Sequence, residues 1–407
     1  MKTSRRAFLG AATVAAASAS PRPAFDFAKL REEFPWVHTE TFFNPAGWHP
    51  MPLRTKRAME RYLEFKIKGP GEGREEWASG HQDQARQLFA KLINAKPSEI
   101  SFVQSTLMGE NVIVNGLGIP GGKWSVVTDE LHYEGSLYLY GSLQKNAGLD
   151  LRIVKHRDGR IDVRDVEKAV DNRTRLIATS LVSYQNGNRP DIQALAGLAH
   201  AHKAYLYADV IQGAGAVPID VRALDLDFCA CSGYKWLMGD RGLGYLYVRE
   251  SLQGGVVKQM QYGDRQFADF QYHMFPHDPP GPRPASWKKN SGAGSFYEVG
   301  NIANIVAAGH AESLKLIHEI GVDRIQAYVK PLVDKLRKEL PRLGYASFTP
   351  PEAPTPTSAF VVAKPDILAA KLKKANVAAK IQWNQMRVSC SFYHTPQDVD
   401  LLLNAAS

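Results

Sequence analysis

Two charged residues carry the chemistry that this chain could do. Asp209 closes the apolar run Tyr207-Ala208-Asp209-Val210, and Lys235 follows the next such run in Cys231-Ser232-Gly233-Tyr234-Lys235-Trp236. An amine and a carboxylate so placed are what a pyridoxal phosphate ring needs. The lysine condenses with the aldehyde as a Schiff base, and the aspartate pairs with the protonated ring nitrogen, so that the ring accepts electrons from a substrate carbon. Lys235 sits among Tyr234, Trp236, Gly239, Gly242 and Gly244, a setting tight enough to bury an amine. Burial lowers an ammonium pKa and frees the nucleophile. Gln212, three residues after Asp209, is placed to reach the ring's phenolic oxygen, and Gly213 and Gly215 permit close backbone approach.

Elements must be found that bring these residues together. Short apolar runs predict strands at 100–104, 124–128, 151–155, 176–181, 204–208, 228–232 and 243–248. Helix-period segments predict helices at 54–67, 80–93, 107–116, 135–145, 163–170, 191–202 and 302–319. The alternation implies an α/β fold, a mostly parallel seven-stranded sheet sandwiched by helices. Sheets of this kind bind ligands beyond the carboxyl ends of their strands, where Asp209 and the loops after Gln104, Thr128 and Leu181 fall. A helix at 322–340, a strand at 359–363 and a helix at 365–375 predict a smaller α+β unit at the C-terminus. The expected organisation is a leader at 1–19, a segment at 20–50 packing near the small unit, a large domain at 51–300, and a connecting helix with the small domain at 301–407. Between Gly263 and Gly300 the pattern breaks, and the proline-rich run at 277–284 can be neither helix nor central strand.

The net charge is +9, or +6 without Lys2, Arg5 and Arg6, and no like-charge block suggests a nucleic-acid tail. A mild positive field suits anionic small molecules. The three cysteines, Cys229, Cys231 and Cys390, form no disulfide framework and no zinc spacing, so they read as small core residues. The N-terminus reads Ser4-Arg5-Arg6-Ala7-Phe8-Leu9, then a small apolar run to Ala19. That pattern fits a twin-arginine signal peptide, which predicts export of the folded protein to the periplasm with no membrane anchor once the leader is removed.

The stretch from Tyr207 to Val248, with Asp-Val-Ile-Gln-Gly, Ser-Gly-Tyr-Lys-Trp and Gly-Leu-Gly-Tyr-Leu-Tyr-Val, resembles the class V aminotransferases. These fold-type I pyridoxal phosphate enzymes include isopenicillin N epimerase-like proteins, cysteine desulfurases, kynureninases and carbon–sulfur lyases. The resemblance runs from about Phe42 to the end of the chain. It implies that His132 stacks on the ring, and that a phosphate cup begins at Ser105, Thr106 and Leu107, where helix-start N–H groups hold the dianion. Leu107 stands where a second small polar residue is common. Ser232 and Tyr234, flanking the lysine turn, take phosphate oxygens. Asn301, in Glu298-Val299-Gly300-Asn301, reaches a neighbouring subunit's phosphate, which implies a homodimer. Arg387, in Met386-Arg387-Val388-Ser389, pairs with the substrate α-carboxylate. Asn44, Gly47 and Trp48 close over the substrate. Tyr184 replaces an asparagine that often meets the phenolic oxygen.

The resemblance leaves three outcomes open after Lys235 takes the Cα proton: transamination, epimerisation, or expulsion of a β-substituent by a lyase. Transamination is the expected one, because it needs no additional specialised residue. Epimerisation asks for a second acid, for which His49, Tyr133 and His273 are candidates. Desulfurases carry a catalytic cysteine shortly before the arginine motif, and residues 378–386 hold none. The reading from another class is a periplasmic binding protein that keeps the fold without catalysis. Export points to an amino-acid-like substrate within a peptide or siderophore-type metabolite, in a pocket shaped by His273, Arg283, Trp287 and Lys288.

Overall fold

The computed structural model describes residues 25–69, 71–74, 76–271 and 286–407. The twin-arginine leader, His273, Arg283 and the proline-rich run at 277–284 lie outside the described residues.

Seven strands form one sheet: β1 Ile100–Val103, β2 Ser125–Asp129, β3 Asp150–Val154, β4 Thr174–Ser180, β5 Tyr205–Asp209, β6 Phe228–Ser232 and β7 Gly244–Val248. Their order across the sheet is β1-β7-β6-β5-β4-β2-β3. The pairs within β2 to β6 are parallel, and β7 runs antiparallel to both of its neighbours. All seven lie within two residues of their predicted bounds. Every residue of β1, β2, β6 and β7 is buried, as a sheet covered on both faces requires. Along β6 and β7, Cys229, Cys231, Tyr245 and Tyr247 enter one core, while Phe228, Ala230, Leu246 and Val248 enter the other. Cys229 and Cys231 therefore share a face, and all three cysteines are buried free thiols.

Helices Leu53–Lys68 and His81–Leu92 pack against Asn304–Ile320, a helix buried along most of its length. Phe89 of the second stacks on Tyr245 of β7, ring centres 4.1 Å apart, and so ties this layer to the sheet. Local chemistry marks the ends: Asp191 caps the helix Ile192–Ala201 through the Ala194 N–H, and Gly148, in the left-handed region, stops Glu134–Ala147.

The small unit has its own core around Leu336, Phe360, Met386 and Val388. It joins the helix Val322–Arg342 to an antiparallel sheet ordered Thr357–Val361, Gln385–Ser389, Lys380–Gln382, with helices Pro365–Lys374 and Pro396–Ala406. The N-terminal segment reaches this unit, where Thr41–Phe42 pairs in parallel with Val377–Ala378. Several elements, among them Lys380–Gln382, Gln385–Ser389 and Pro396–Ala406, lie outside the expectation. The break after Gly263 contains an antiparallel pair, Phe267–Gln271 with Ser286–Lys289, and a short helix Gly294–Tyr297. No helix among the described residues is long and apolar enough to cross a membrane.

Candidate active site

The carboxyl ends of the strands meet along one edge. Ser180, Asp209 and Ala230 are in register across β4, β5 and β6, and Gly244 opposes both Val103 and Ser232. Residues 233–243, which join β6 to β7, contain no helix. A parallel neighbour would need a longer crossover, so β7 returns antiparallel and its turn projects from this edge. Lys235 rides on that turn. It is closed by hydrogen bonds from the Gly239 N–H to the Gly233 carbonyl, 2.9 Å, and from the Met238 N–H to the Lys235 carbonyl, 2.8 Å. The buried imidazole of His310 fills the space beneath. A Cβ on Gly233 or Gly239 would fall 1.5 or 1.8 Å from its ring atoms. His310 bonds the Tyr245 hydroxyl through Nδ1 at 3.0 Å, and burial pushes its pKa down to about 4, so the ring is neutral.

Burial acts on both charged partners. Asp209 accepts the Ile211 N–H at 2.9 Å, and burial raises its pKa to about 6 against the pull of His132 and Lys235. Burial lowers the Lys235 pKa to about 8; Asp209 opposes this, while Arg387 and Lys380 add to it. Among the described residues no cation lies within 4.0 Å of the Asp209 carboxylate, and no carboxylate within 4.0 Å of the Lys235 ammonium. A buried carboxylate lacking a cation and a buried amine lacking an anion suit a group that brings a protonated ring nitrogen to one and an aldehyde to the other.

The surrounding residues fit such a group. Ser105 caps the helix Thr106–Gly116, accepting the Met108 N–H at 3.2 Å and keeping its own O–H to donate. Thr106 and Ser232 clamp the helix start to the end of β6: the Thr106 N–H reaches Ser232 Oγ at 2.8 Å and the Ser232 N–H reaches Thr106 Oγ1 at 2.9 Å. Leu107 adds no side-chain donor, and its carbonyl takes the Asn111 amide at 2.8 Å. The Tyr234 ring centre lies 5.8 Å from Lys235 Nζ. Gln212 is engaged at both ends, donating to the Ala46 carbonyl and accepting from Trp236 Nε1, each at 2.9 Å. One amide N–H is left for the phenolic oxygen, and the larger part of its work is to tie the N-terminal segment to the lysine turn.

His132 is wholly buried, with Nδ1 2.9 Å from Ser180 Oγ and Nε2 3.2 Å from Glu110 Oε1. Burial alone would lower its pKa, but Glu110, then Asp129 and Asp209, outweigh it and raise it. Glu110 also accepts from Tyr140, at 2.7 Å, and from Ser136. Sequence reasoning missed this carboxylate, which stands alone in an apolar helix.

Arg387 is buried, and burial pushes its pKa down to about 10. Its Nη1 donates to the Tyr184 carbonyl at 2.7 Å and its Nη2 to Asn44 Oδ1 at 2.9 Å, while Nε has no partner. Both acceptors are neutral, so the guanidinium is aimed without being neutralised. Asn44 thus stands at the site as a clip on the arginine. Trp48 is half-exposed and lies edge-on to Trp36, ring centres 5.3 Å apart. Asn301 is exposed and shares no hydrogen bond with this set among the described residues. His49 is pinned between the Pro50 carbonyl and Ser391 Oγ, each at 2.8 Å, and burial drives its pKa down to about 3. Tyr133 lies edge-on to Tyr184, ring centres 5.5 Å apart. Trp287 and Lys288 are exposed.

Comparison with known proteins identifies the family and the fold. The sequence model of the family Aminotransferase class-V matches residues 57–402. A probable cysteine desulfurase of Methanothermobacter thermautotrophicus is 29% identical over 315 residues, 75% of this chain and 74% of the relative. The uncharacterized aminotransferase YcbU of Bacillus subtilis is 25% identical over 312 residues, 75% of this chain and 76% of its own length. The crystal structure of the cysteine desulfurase CsdA from Escherichia coli superposes with a TM-score of 0.80 at 20% identity, covering 94% of this chain and 98% of that one.

Two outcomes follow from the lysine turn. Gly233→Ala drives a methyl group into His310 and is expected to cost about 1–3 kcal/mol, read from denaturant unfolding; an unchanged midpoint would contradict the packing. The second concerns proton occupancy. Because the folded pKa of Lys235 is lowered to about 8, the neutral amine becomes available as pH rises through that value. The rate at which cofactor-free protein takes up pyridoxal phosphate should therefore climb with a midpoint near pH 8, followed by stopped-flow absorbance. A midpoint near that of an ordinary lysine would show that the amine is not buried.

Proposed function

We propose that this chain, which belongs to the class-V aminotransferase family, removes the amino group of an amino acid by transamination, with the α-carboxylate held on Arg387. It is a pyridoxal phosphate-dependent enzyme. The observation that carries the reading is Arg387 itself: a buried guanidinium, gripped by two neutral oxygens, with an unpartnered Nε. A planar fork left open in this way matches a carboxylate bidentately.

The cofactor, when bound, supplies an electron sink for the bond broken at the substrate Cα. The protein does the rest. Asp209 would hold the protonated ring nitrogen by its negative charge, in a setting dry enough to make that charge count. Thr106, Ser105 and Ser232 offer donors at a helix start for the phosphate. Arg387 fixes the carboxylate, and so sets which substituent of Cα faces Lys235. Lys235 Nζ, with its lowered pKa, is the base that takes the Cα proton; such a positioned base contributes about 10²–10⁴-fold.

Transamination asks for this one base. Epimerisation asks for an acid on the opposite face, and His49, neutral and hydrogen-bonded at both nitrogens, does not supply it. A second reading is carbon–sulfur bond cleavage, favoured by the relatives named cysteine desulfurases. A persulfide relay finds no thiol, because Cys229, Cys231 and Cys390 are buried and burial raises the pKa of each. The reading therefore narrows to β-elimination, with the sulfur leaving directly as sulfide from cysteine or as a persulfide from cystine. We also infer export through the twin-arginine leader.

Incubation with Cα-deuterated amino acids and a 2-oxo acid acceptor should yield a new keto acid and an aminated acceptor. Sulfide, pyruvate and ammonium from cysteine, or cysteine persulfide, pyruvate and ammonium from cystine, would instead establish the lyase, and inverted amino acid alone would overturn transamination. Arg387→Lys loses the fork and should raise KM for the amino acid about tenfold to a hundredfold, with kcat changed less. Replacing Arg5 and Arg6 by lysine should hold the protein in the cytoplasm, read by fractionation; continued periplasmic recovery would remove the export reading.

A further inference from the structure

We propose that Lys380 forms a second anion subsite beside Arg387, so that the substrate is an amino acid bearing another carboxylate on its side chain. The inference rests on the reading of Arg387 as the holder of the α-carboxylate.

Lys380 and Arg387 are direct partners across the antiparallel pair Lys380–Gln382 and Gln385–Ser389. Residues so opposed stand on the same face with Cβ atoms about 4.5–5.5 Å apart, and like charges in that arrangement destabilise a sheet. Among the described residues neither cation has a carboxylate within 4.0 Å to pair with it. Both line a cleft of about 60 Å³ together with Glu134, Tyr184, Gln185 and Trp383. Lys380 Nζ lies 6.0 Å from the Tyr184 ring centre, and the Tyr184 carbonyl is what holds Arg387.

The bland alternative is a lysine placed on an edge strand to discourage pairing with other chains. Such a lysine would extend into water. Lys380 is only partly exposed and turns into the cleft with Arg387. Burial and Arg387 both lower its pKa, with Glu134 the one group opposing them. Glu134 is itself turned to the Tyr184 hydroxyl, 3.4 Å away, and forms no ion pair with Lys380. A side-chain carboxylate on the substrate would meet this second cation while the α-carboxylate meets the first, as a short dicarboxylic amino acid permits.

The test uses the cofactor-loaded enzyme and two isosteric probes, L-glutamate and L-glutamine, each titrated while the visible absorbance of the cofactor is followed. Wild type should bind glutamate about tenfold more tightly than glutamine, the effect of one charge-assisted contact. Lys380→Met should bring glutamate to the level of glutamine, and Lys380→Arg should keep the preference. The melting temperature of unliganded Lys380→Met should equal or exceed that of wild type, since a repulsion is removed. Equal binding of the two probes by wild type, binding of neither, or a preference that survives in Lys380→Met would overturn the subsite. The Arg387 reading is tested separately: it fails if Arg387→Ala binds glutamine as wild type does.

Discussion

Taking the Lys235 amine out of water disfavours its ammonium form, and taking the Asp209 carboxyl out of water disfavours its carboxylate. Two such groups buried in one protein would usually collapse into an ion pair, because each is the other's cheapest partner. Here they are held near enough to feel one another and too far apart to bond. That separation is what the rest of the structure must maintain. It rests on backbone rather than on side-chain contacts. Asp209 is fixed as the last residue of β5, and Lys235 is fixed on a turn whose shape is imposed by the antiparallel return of β7 and by the imidazole of His310 beneath two glycines.

From this pair the other parts can be understood as supports. Glu110, Ser180 and the hydroxyls of Ser136 and Tyr140 lock His132 in one orientation beside Asp209. A buried carboxylate satisfied by several donors stays in place only if all of them do, so this network is rigid or absent as a unit. On the opposite side, Gln212 and Trp236 join the lysine turn to the N-terminal segment, and Asn44 of that segment reaches Arg387 of the small unit. The two cores are thereby linked through the site itself. The segment that holds Arg387 through Asn44 is thus the one that braces the lysine turn through Ala46.

How much of this was legible in the sequence depends on what each residue's placement owes to local pattern. The central strands were legible because a sheet buried on both faces needs unbroken apolar runs. Asp209 and Lys235 were legible because each ends or follows such a run. Glu110 was not, since a single acid in the apolar helix Thr106–Gly116 has no spacing that announces a partner two elements away. Arg387 was legible by its neighbours, yet its strand was not. That strand is joined to Lys380–Gln382 by a turn through Trp383, whose φ of 53° is a conformation bulky residues seldom adopt and whose identity gives no hairpin signal. The last helix was a different case: Thr395, Pro396 and Asp398 form a capping box with proline at the first turn, a readable signal that the alternation of strands and helices drew attention away from.

Family membership alone does not choose the reaction, because the proposed role of Lys235 as base is the same in every outcome the family allows. The choice falls to what surrounds the substrate Cα, and there the large and small units divide the work. The sheet edge carries the residues proposed as base, countercharge and phosphate donors, all on elements whose geometry admits little variation. The hairpin at 380–389 sets two cations side by side across a short turn that carries no cysteine. The same hairpin borders a cleft in which Lys380 and Arg387 stand side by side. Lys235 and Asp209 are fixed by the backbone of the sheet edge, whereas Arg387 and Lys380 are fixed by the hairpin, so a change in the hairpin can alter the cleft without moving the buried pair.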